Sequence, residues 1–265
     1  MKKTKFILLL VASALFSAAL RAETSEQTGW IPLFNGRDLT GWTPKITGHS
    51  VGDNFANTYR VEAGMLKVSY DGYAGEFKGQ FGHLFTDIAY SHYVIRLGYL
   101  ITGKILPDAP SWAAFNSGIM IHAQPPQSMG FSQEWPVSIE GQILSVGTTA
   151  GRQTANAVTI GTQIILAGGK PSKRHVMDST SRLYPVDQWV TFEIEVHGND
   201  LIIHRINGEE VMRYSHPMLV AEHEDAKRLL ALGASQILSF GHIALQAEGH
   251  PVWFRNIMIR SLNVN

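Results

Sequence analysis

Ser117-Gly-Ile-Met-Ile-His122 and Val137-Ser-Ile-Glu-Gly-Gln-Ile-Leu144 decide the fold. Both alternate apolar with small or polar residues, the period of a β-strand with two different faces. In the first, Gly118, Met120 and His122 share one face and Ser117, Ile119 and Ile121 the other. In the second, Ser138, Glu140 and Gln142 oppose Val137, Ile139, Gly141 and Ile143. If the two strands share a sheet, His122, Glu140 and Gln142 look into the same space. Between them, residues 123 to 136 are too rich in proline for regular structure, and a loop that long inside a compact domain points to function.

Outward from this pair, strand patterns continue in both directions. Upstream, Gly29-Trp-Ile-Pro-Leu-Phe opens with a short apolar strand and a turn at Asn35-Gly36, and packing over the core is the expected role of Trp30 and Trp42. Tyr59–Glu62 and Met65–Ser69 form a hairpin across Ala63-Gly64. Further strands are predicted over Gly82–Thr86 and Tyr93–Ile101. Downstream, a Gly-, Thr- and Ala-rich stretch to Ile160 precedes an apolar run over 163–167. Trp189 to His197 alternates strictly, Leu201–Ile206 and Val211–Tyr214 flank an Asn207-Gly208 turn, and Gly241–Gln246 and Val252–Ser261 close the chain. Only Val220–Ala234 has helical spacing, with acidic residues first and basic residues last. Many strands, several hairpins and one short helix predict an all-β sandwich of two antiparallel sheets.

Residues 1 to 22 have the layout of a secretory signal peptide: Lys2, Lys3 and Lys5, then an apolar run from Phe6 to Leu20, then Ala22. The expected mature chain, 23–265, is one domain with no membrane anchor, located in the periplasm or secreted. The sequence holds no cysteine, so it carries neither disulfides nor a lipidated cysteine. Without the leader, 18 basic residues stand against 22 acidic ones, a net charge of −4. That is no footprint for nucleic acid.

Gly29 to Trp42, Asn116 to His122, Ile139 to Leu144, Gln188-Trp189, Ile206-Asn-Gly208 and Gly241 to Ile257 together resemble the 3-keto-disaccharide hydrolase family. Its members are also described as 3-keto-glucoside 1,2-lyases and 3-keto-2-hydroxy-glucal hydratases. The resemblance runs through nearly all of the chain beyond the leader. It implies a concanavalin-like jelly roll binding sugar on its concave sheet. The implied activity is cleavage of 3-keto-glucosides by elimination across C1–C2, hydration of the resulting glucal, or both, with a separate sugar 3-dehydrogenase supplying the ketone. Two positions depart from the commoner pattern: many members carry Arg where His122 stands and a larger residue where Gly141 stands. His122 and Arg174-His175 resemble a histidine-bearing subgroup.

The residues constrain the chemistry independently. A retaining glycosidase flanks the scissile bond with two carboxyl groups, but the central strand reads Glu140, Gln142, Leu144, so a second carboxylate is missing there. A 3-keto sugar removes that need, because the ketone acidifies the hydrogen on C2. The site must then offer a base, a stabiliser for the enolate and an acid for the leaving oxygen. The catalytic candidates are Glu140, His122 and His175, with Glu140 or a histidine as the base. The substrate-binding candidates are Asn116, Gln142, Trp135 and the alternating Gln246, Glu248 and His250. A divalent metal held by His122, His175 or His250 with Glu140 is chemically reasonable, although no short-spaced ligand motif is present, and no organic cofactor is expected. Arg255 is expected to be structural and Asn207 a turn residue. Two other functions stay open: a non-catalytic carbohydrate-binding sandwich, with Trp112 and Trp135 as platforms, and a conventional glycoside hydrolase.

Overall fold

The computed structural model describes residues 29–166, 169–172 and 174–263; the expected leader and Ala167 lie outside the described residues. The strands are β1 (Ile31–Pro32), β2 (Trp42–Ile46), β3 (Tyr59–Glu62), β4 (Met65–Val68), β5 (Gly82–Thr86), β6 (His92–Ile101), β7 (Asn116–Ala123), β8 (Ser138–Leu144), β9 (Ala157–Ile160), β10 (Thr162–Leu166), β11 (Val176–Met177), β12 (Val190–His197), β13 (Leu201–Ile206) and β14 (Glu209–Leu219). Helix α1 (Glu224–Ala231) follows, then β15 (His242–Ala247) and β16 (Val252–Ser261). They form two antiparallel sheets. One runs β10-β14-β13-β12-β6-β16-β4-β3, with β1 on β16; the other runs β11-β9-β8-β7-β15-β5-β2. This is the expected jelly-roll sandwich.

The interior between the sheets follows from alternation. Along β12, Val190, Phe192, Ile194 and Val196 are buried while Thr191, Glu193, Glu195 and His197 are not. These side chains meet Ile119, Ile121, Ile139 and Ile143 from the seven-stranded sheet in one core. At Gly141 the two sheets approach so closely that an added Cβ would lie 2.8 Å from Ile194 Cδ1 and 2.9 Å from Phe192 Cζ. The Phe192 ring occupies the space a larger residue would take. Gly141→Val is therefore expected to overpack the core and lower stability by about 1–3 kcal/mol, read from urea unfolding.

Local sequence explains the boundaries. Ala63 and Gly64 take the positive φ angles of a tight hairpin turn, as do Asn207 and Gly208. Helix α1 is shorter than its pattern, because Gly233 (φ 90) closes it, with Gly233 N–H donating to Leu230 O and Ala234 N–H to Leu229 O. β14 is longer than predicted. β9 and β11 went unread: the first lies in a small-residue stretch and the second is two residues long, so pairing onto β8 and β9 defines them rather than their own composition. Trp42 is buried in the core with Nε1 donating to Leu33 O, as expected. Trp30 is not over the core: it lies on the far face of the nine-stranded sheet, beneath the guanidinium groups of Arg96 and Arg260. Arg255 likewise stacks on Trp189, 4.0 Å from the ring centre; it has no ion pair among the described residues and is not on an edge strand.

Strands β7 and β8 lie at the middle of the seven-stranded sheet and are buried along their whole length. Their outer face is therefore covered as well. Phe85, Met120, Ala123, Met129 and Ala244 cluster there, with Met129 supplied by the proline-rich 123–136 loop. Beyond that cluster the cover opens into a cleft.

Candidate active site

The cleft has a volume of about 490 Å³, and its lining includes Asn116, Glu140, Gln142, Glu248, Trp112, Trp135, Arg152, His175 and His223. Its floor comes from the strand register: Gly118 lies opposite Gln142 and Met120 opposite Glu140. Gly118 is required there. A Cβ at that position would sit 2.5 Å from Glu140 Oε1 and 2.6 Å from its Cγ, so the Glu140 side chain lies directly across the glycine. Beyond Gly118 stands β15, whose end carries Glu248.

Glu140 and Glu248 are 5% and 3% exposed, two buried carboxyl groups lining one cleft. Burial pushes Glu140 well above the ordinary carboxylate range, and the charge of Glu248 pushes it further the same way. Burial also raises Glu248, to about 7, against the Trp135 N–H that favours its ionised form. Glu248 Oε1 accepts from Trp135 Nε1 at 3.0 Å and from Gln246 Nε2 at 2.8 Å. Glu140 has no hydrogen-bond partner among the described residues. Two N–H groups donate to Glu248 and none among the described residues to Glu140, so of the two it is Glu140 whose surroundings favour the protonated carboxyl.

Around this pair an amide chain runs along the floor. Asn156 Nδ2 donates to Gln142 Oε1 at 3.0 Å, and Gln142 Nε2 donates to Asn116 Oδ1 at 3.4 Å. Trp112 and Trp135 form an aromatic wall with ring centres 6.0 Å apart, backed by Phe81, which stacks on Trp112 within 8°. On the far side stands His175, just before β11. Its Nδ1 is 2.7 Å from Thr159 O, which fixes a proton on Nδ1 and leaves Nε2 of the neutral ring as a bare acceptor. Arg152 brings a cation to the same cleft.

Of the residues expected from sequence, Glu140, His175, Asn116, Gln142, Glu248 and Trp135 line this cleft; His122, Gln246 and His250 do not. His122 has left-handed backbone (φ 49), and the β7–β15 register shifts at that point. The bulge ends the alternation, and the ring turns between the sheets, 2% exposed, to donate from Nε2 to Gly198 O at 3.0 Å. Gln246 is fully buried, its amide donating to Glu248. His250 lies in the β15–β16 connection ahead of Pro251, packs on Phe115 and accepts the Phe115 N–H at 3.1 Å. The proposed metal set is thus dispersed, since only His175 and Glu140 of its members reach the cleft, and no group of three acidic or histidine ligands forms among the described residues.

Two corrections run the other way. The missing second carboxyl is Glu248, contributed by another strand. Arg152 and His223 were not picked out; Arg152 is the lone charge in its Gly/Thr-rich stretch and His223 occupies the N-cap of α1, the only signals that mark them.

Comparison with known proteins agrees with this architecture. Two proposed glycosyl hydrolases from Parabacteroides distasonis superpose with TM-scores of 0.53 and 0.54, at 20% and 16% identity, covering 91% and 88% of this chain and 97% and 99% of their own. The exoplasmic/lumenal domain of VIP36, in a Ca²⁺- and Man3GlcNAc-bound form, superposes with a TM-score of 0.51 at 6% identity, covering 89% of this chain and 90% of its own. At these identities the likeness is one of fold. No curated protein matches the chain. Residues 29–260 match the family described as the 3-keto-alpha-glucoside-1,2-lyase-like domain. With that match spanning both sheets and every residue of the cleft, the chain belongs to this family and is a carbohydrate-active protein.

Proposed function

We propose that the protein eliminates the aglycone from 3-keto-glucosides and adds water to the resulting glucal, giving net hydrolysis. The observation that carries this reading is the buried Glu140–Glu248 pair in an aromatic-walled cleft shared with His175, whose Nδ1 holds the ring proton and leaves Nε2 as the acceptor nitrogen. His175 Nε2 takes the proton from C2, and the electrons pass to the C3 oxygen, where the Arg152 guanidinium stabilises the enolate. As the enolate collapses, the C1–O bond breaks and Glu140 gives its proton to the leaving oxygen. In the return steps Glu140, now ionised, takes a proton from water as its oxygen bonds to C1, and His175 returns the proton to C2. Glu140 is thus assigned as the acid of the first half-reaction rather than the base expected from sequence, because its environment favours the protonated carboxyl. Delivery by the expected leader would place this chemistry in the periplasm or outside the cell.

A conventional retaining mechanism fits less well. Glu248 Oε1 already accepts two N–H groups and its unpartnered Oε2 is buried, so it exposes no uncommitted oxygen to an anomeric carbon. A pure binding module would gain nothing from burying two carboxyl groups side by side. The test is a product assay in D₂O with a 3-keto-glucoside and, separately, the unoxidised glucoside. Release of aglycone from the ketone alone, with deuterium entering at C2, is expected. Release from the unoxidised glucoside would favour the conventional hydrolase, and saturable binding of sugar with no release would favour the binding module.

A further inference from the structure

Level with the carboxyl pair, a row of side chains crosses the seven-stranded sheet. Lys45 on β2 pairs with His83 on β5, and His83 pairs with Gln246 on β15. All three project to the outer face, where His83 neighbours Phe85 of the cluster under the 123–136 loop. Lys45 is satisfied, its Nζ donating to Ile46 O at 2.8 Å and Phe131 O at 3.1 Å. Its neighbours are not. His83 and Gln246 are both 0% exposed, and among the described residues neither ring nitrogen of His83 nor Gln246 Oε1 has a partner; the same holds for Glu248 Oε2. Each such buried group left unmade costs about 1–3 kcal/mol, so unpartnered atoms on three adjacent side chains call for a shared partner.

One water serves three of these four atoms and leaves the acceptor nitrogen of His83 without a partner among the described residues. It accepts a single N–H and donates two, while His83 offers an N–H and Gln246 Oε1 and Glu248 Oε2 each need a donor. We infer that His83 is a positioning residue of the carboxyl pair, acting through a buried water that bridges its ring N–H to Gln246 Oε1 and Glu248 Oε2. Held by its oxygen, the Gln246 amide must present its NH₂ to Glu248 Oε1, the 2.8 Å contact observed. Burial, and secondarily the charge of Lys45, hold His83 down to about 3, so the ring is neutral and its donor and acceptor count is fixed. The other titratable groups around the row are Glu140 from β8 and Tyr70, whose hydroxyl accepts the Gly249 N–H at 2.6 Å.

Without His83 the Gln246 amide is free to reverse and present its carbonyl to Glu248, which favours the protonated form. His83's role presupposes the carboxyl pair but not the sugar chemistry, so the test reads titration and not turnover. The ¹³C-carboxyl signals of labelled Glu140 and Glu248 are followed against pH in the wild type, His83→Phe and His83→Gln. In His83→Phe the Glu248 midpoint is expected to rise above its wild-type value and the Glu140 midpoint to fall; His83→Gln, which keeps an N–H, is expected to restore both. A folded His83→Phe that titrates like the wild type, or a His83→Gln as perturbed as His83→Phe, overturns the inference. Whether or not the variants fold, a crystal structure of the wild type resolving waters in this row is expected to show one bonded to His83 and Gln246, and a row without it has the same effect.

Discussion

Glu140→Gln is expected to slow turnover of a 3-keto-glucoside by about 10²- to 10⁴-fold, the usual cost of losing a positioned acid or base, with little change in binding. Glutamine keeps the length that spans Gly118 but has no acidic proton to give. The leaving group separates the two possible roles. A nitrophenyl aglycone departs without a proton, so if Glu140 is the acid, the 3-keto nitrophenyl glucoside should recover most of the lost rate. If Glu140 is instead the base at C2, the loss persists with every aglycone. His175→Gln should show that second pattern and should also stop deuterium entering C2. Near-normal turnover of an alkyl 3-keto-glucoside by Glu140→Gln would remove Glu140 from the chemistry altogether.

Glu248→Gln should move the pH dependence of the reaction as well as lower its rate. Glu140 is raised first by burial and second by the Glu248 charge, so removing that charge lowers Glu140 and shifts the alkaline fall of kcat/KM to lower pH. Stability should change in the opposite sense to activity. Both carboxyls have folded-state values above the ordinary 4.5, so what they contribute to stability is fully present below that pH and is lost as pH rises, for Glu248 through about 7. Glu248→Gln, free of that loss, should melt above the wild type at pH 8, with the advantage shrinking toward pH 4.5. An unmoved alkaline limb together with an unchanged melting temperature at pH 8 would show that the two carboxyls do not interact.

The architecture was legible because alternation is a local property: Trp189 to His197 declares its faces without reference to any partner. The same rule carried Glu140 and Gln142 to the cleft surface. It failed at His122, where one left-handed residue reverses the facing of a side chain and nothing in Ile121-His122-Ala123 announces it. It also missed the significance of Glu248. Alternation offers Glu248 as a binding residue on the same sheet surface, but its pairing with Glu140 is set by the order β8-β7-β15, a long-range fact. Arg152 reaches the cleft from a loop with no periodicity at all.

Gly118 ties two positions of the chain into a single unit of variation. Because the Glu140 side chain fills the space where a Cβ at 118 would stand, alanine at 118 and glutamate at 140 exclude each other in this geometry. Randomising either site alone would report the cleft as intolerant. A library that varies both together, pairing alanine at 118 with a shorter acid at 140, is where functional alternatives to this pair would be found.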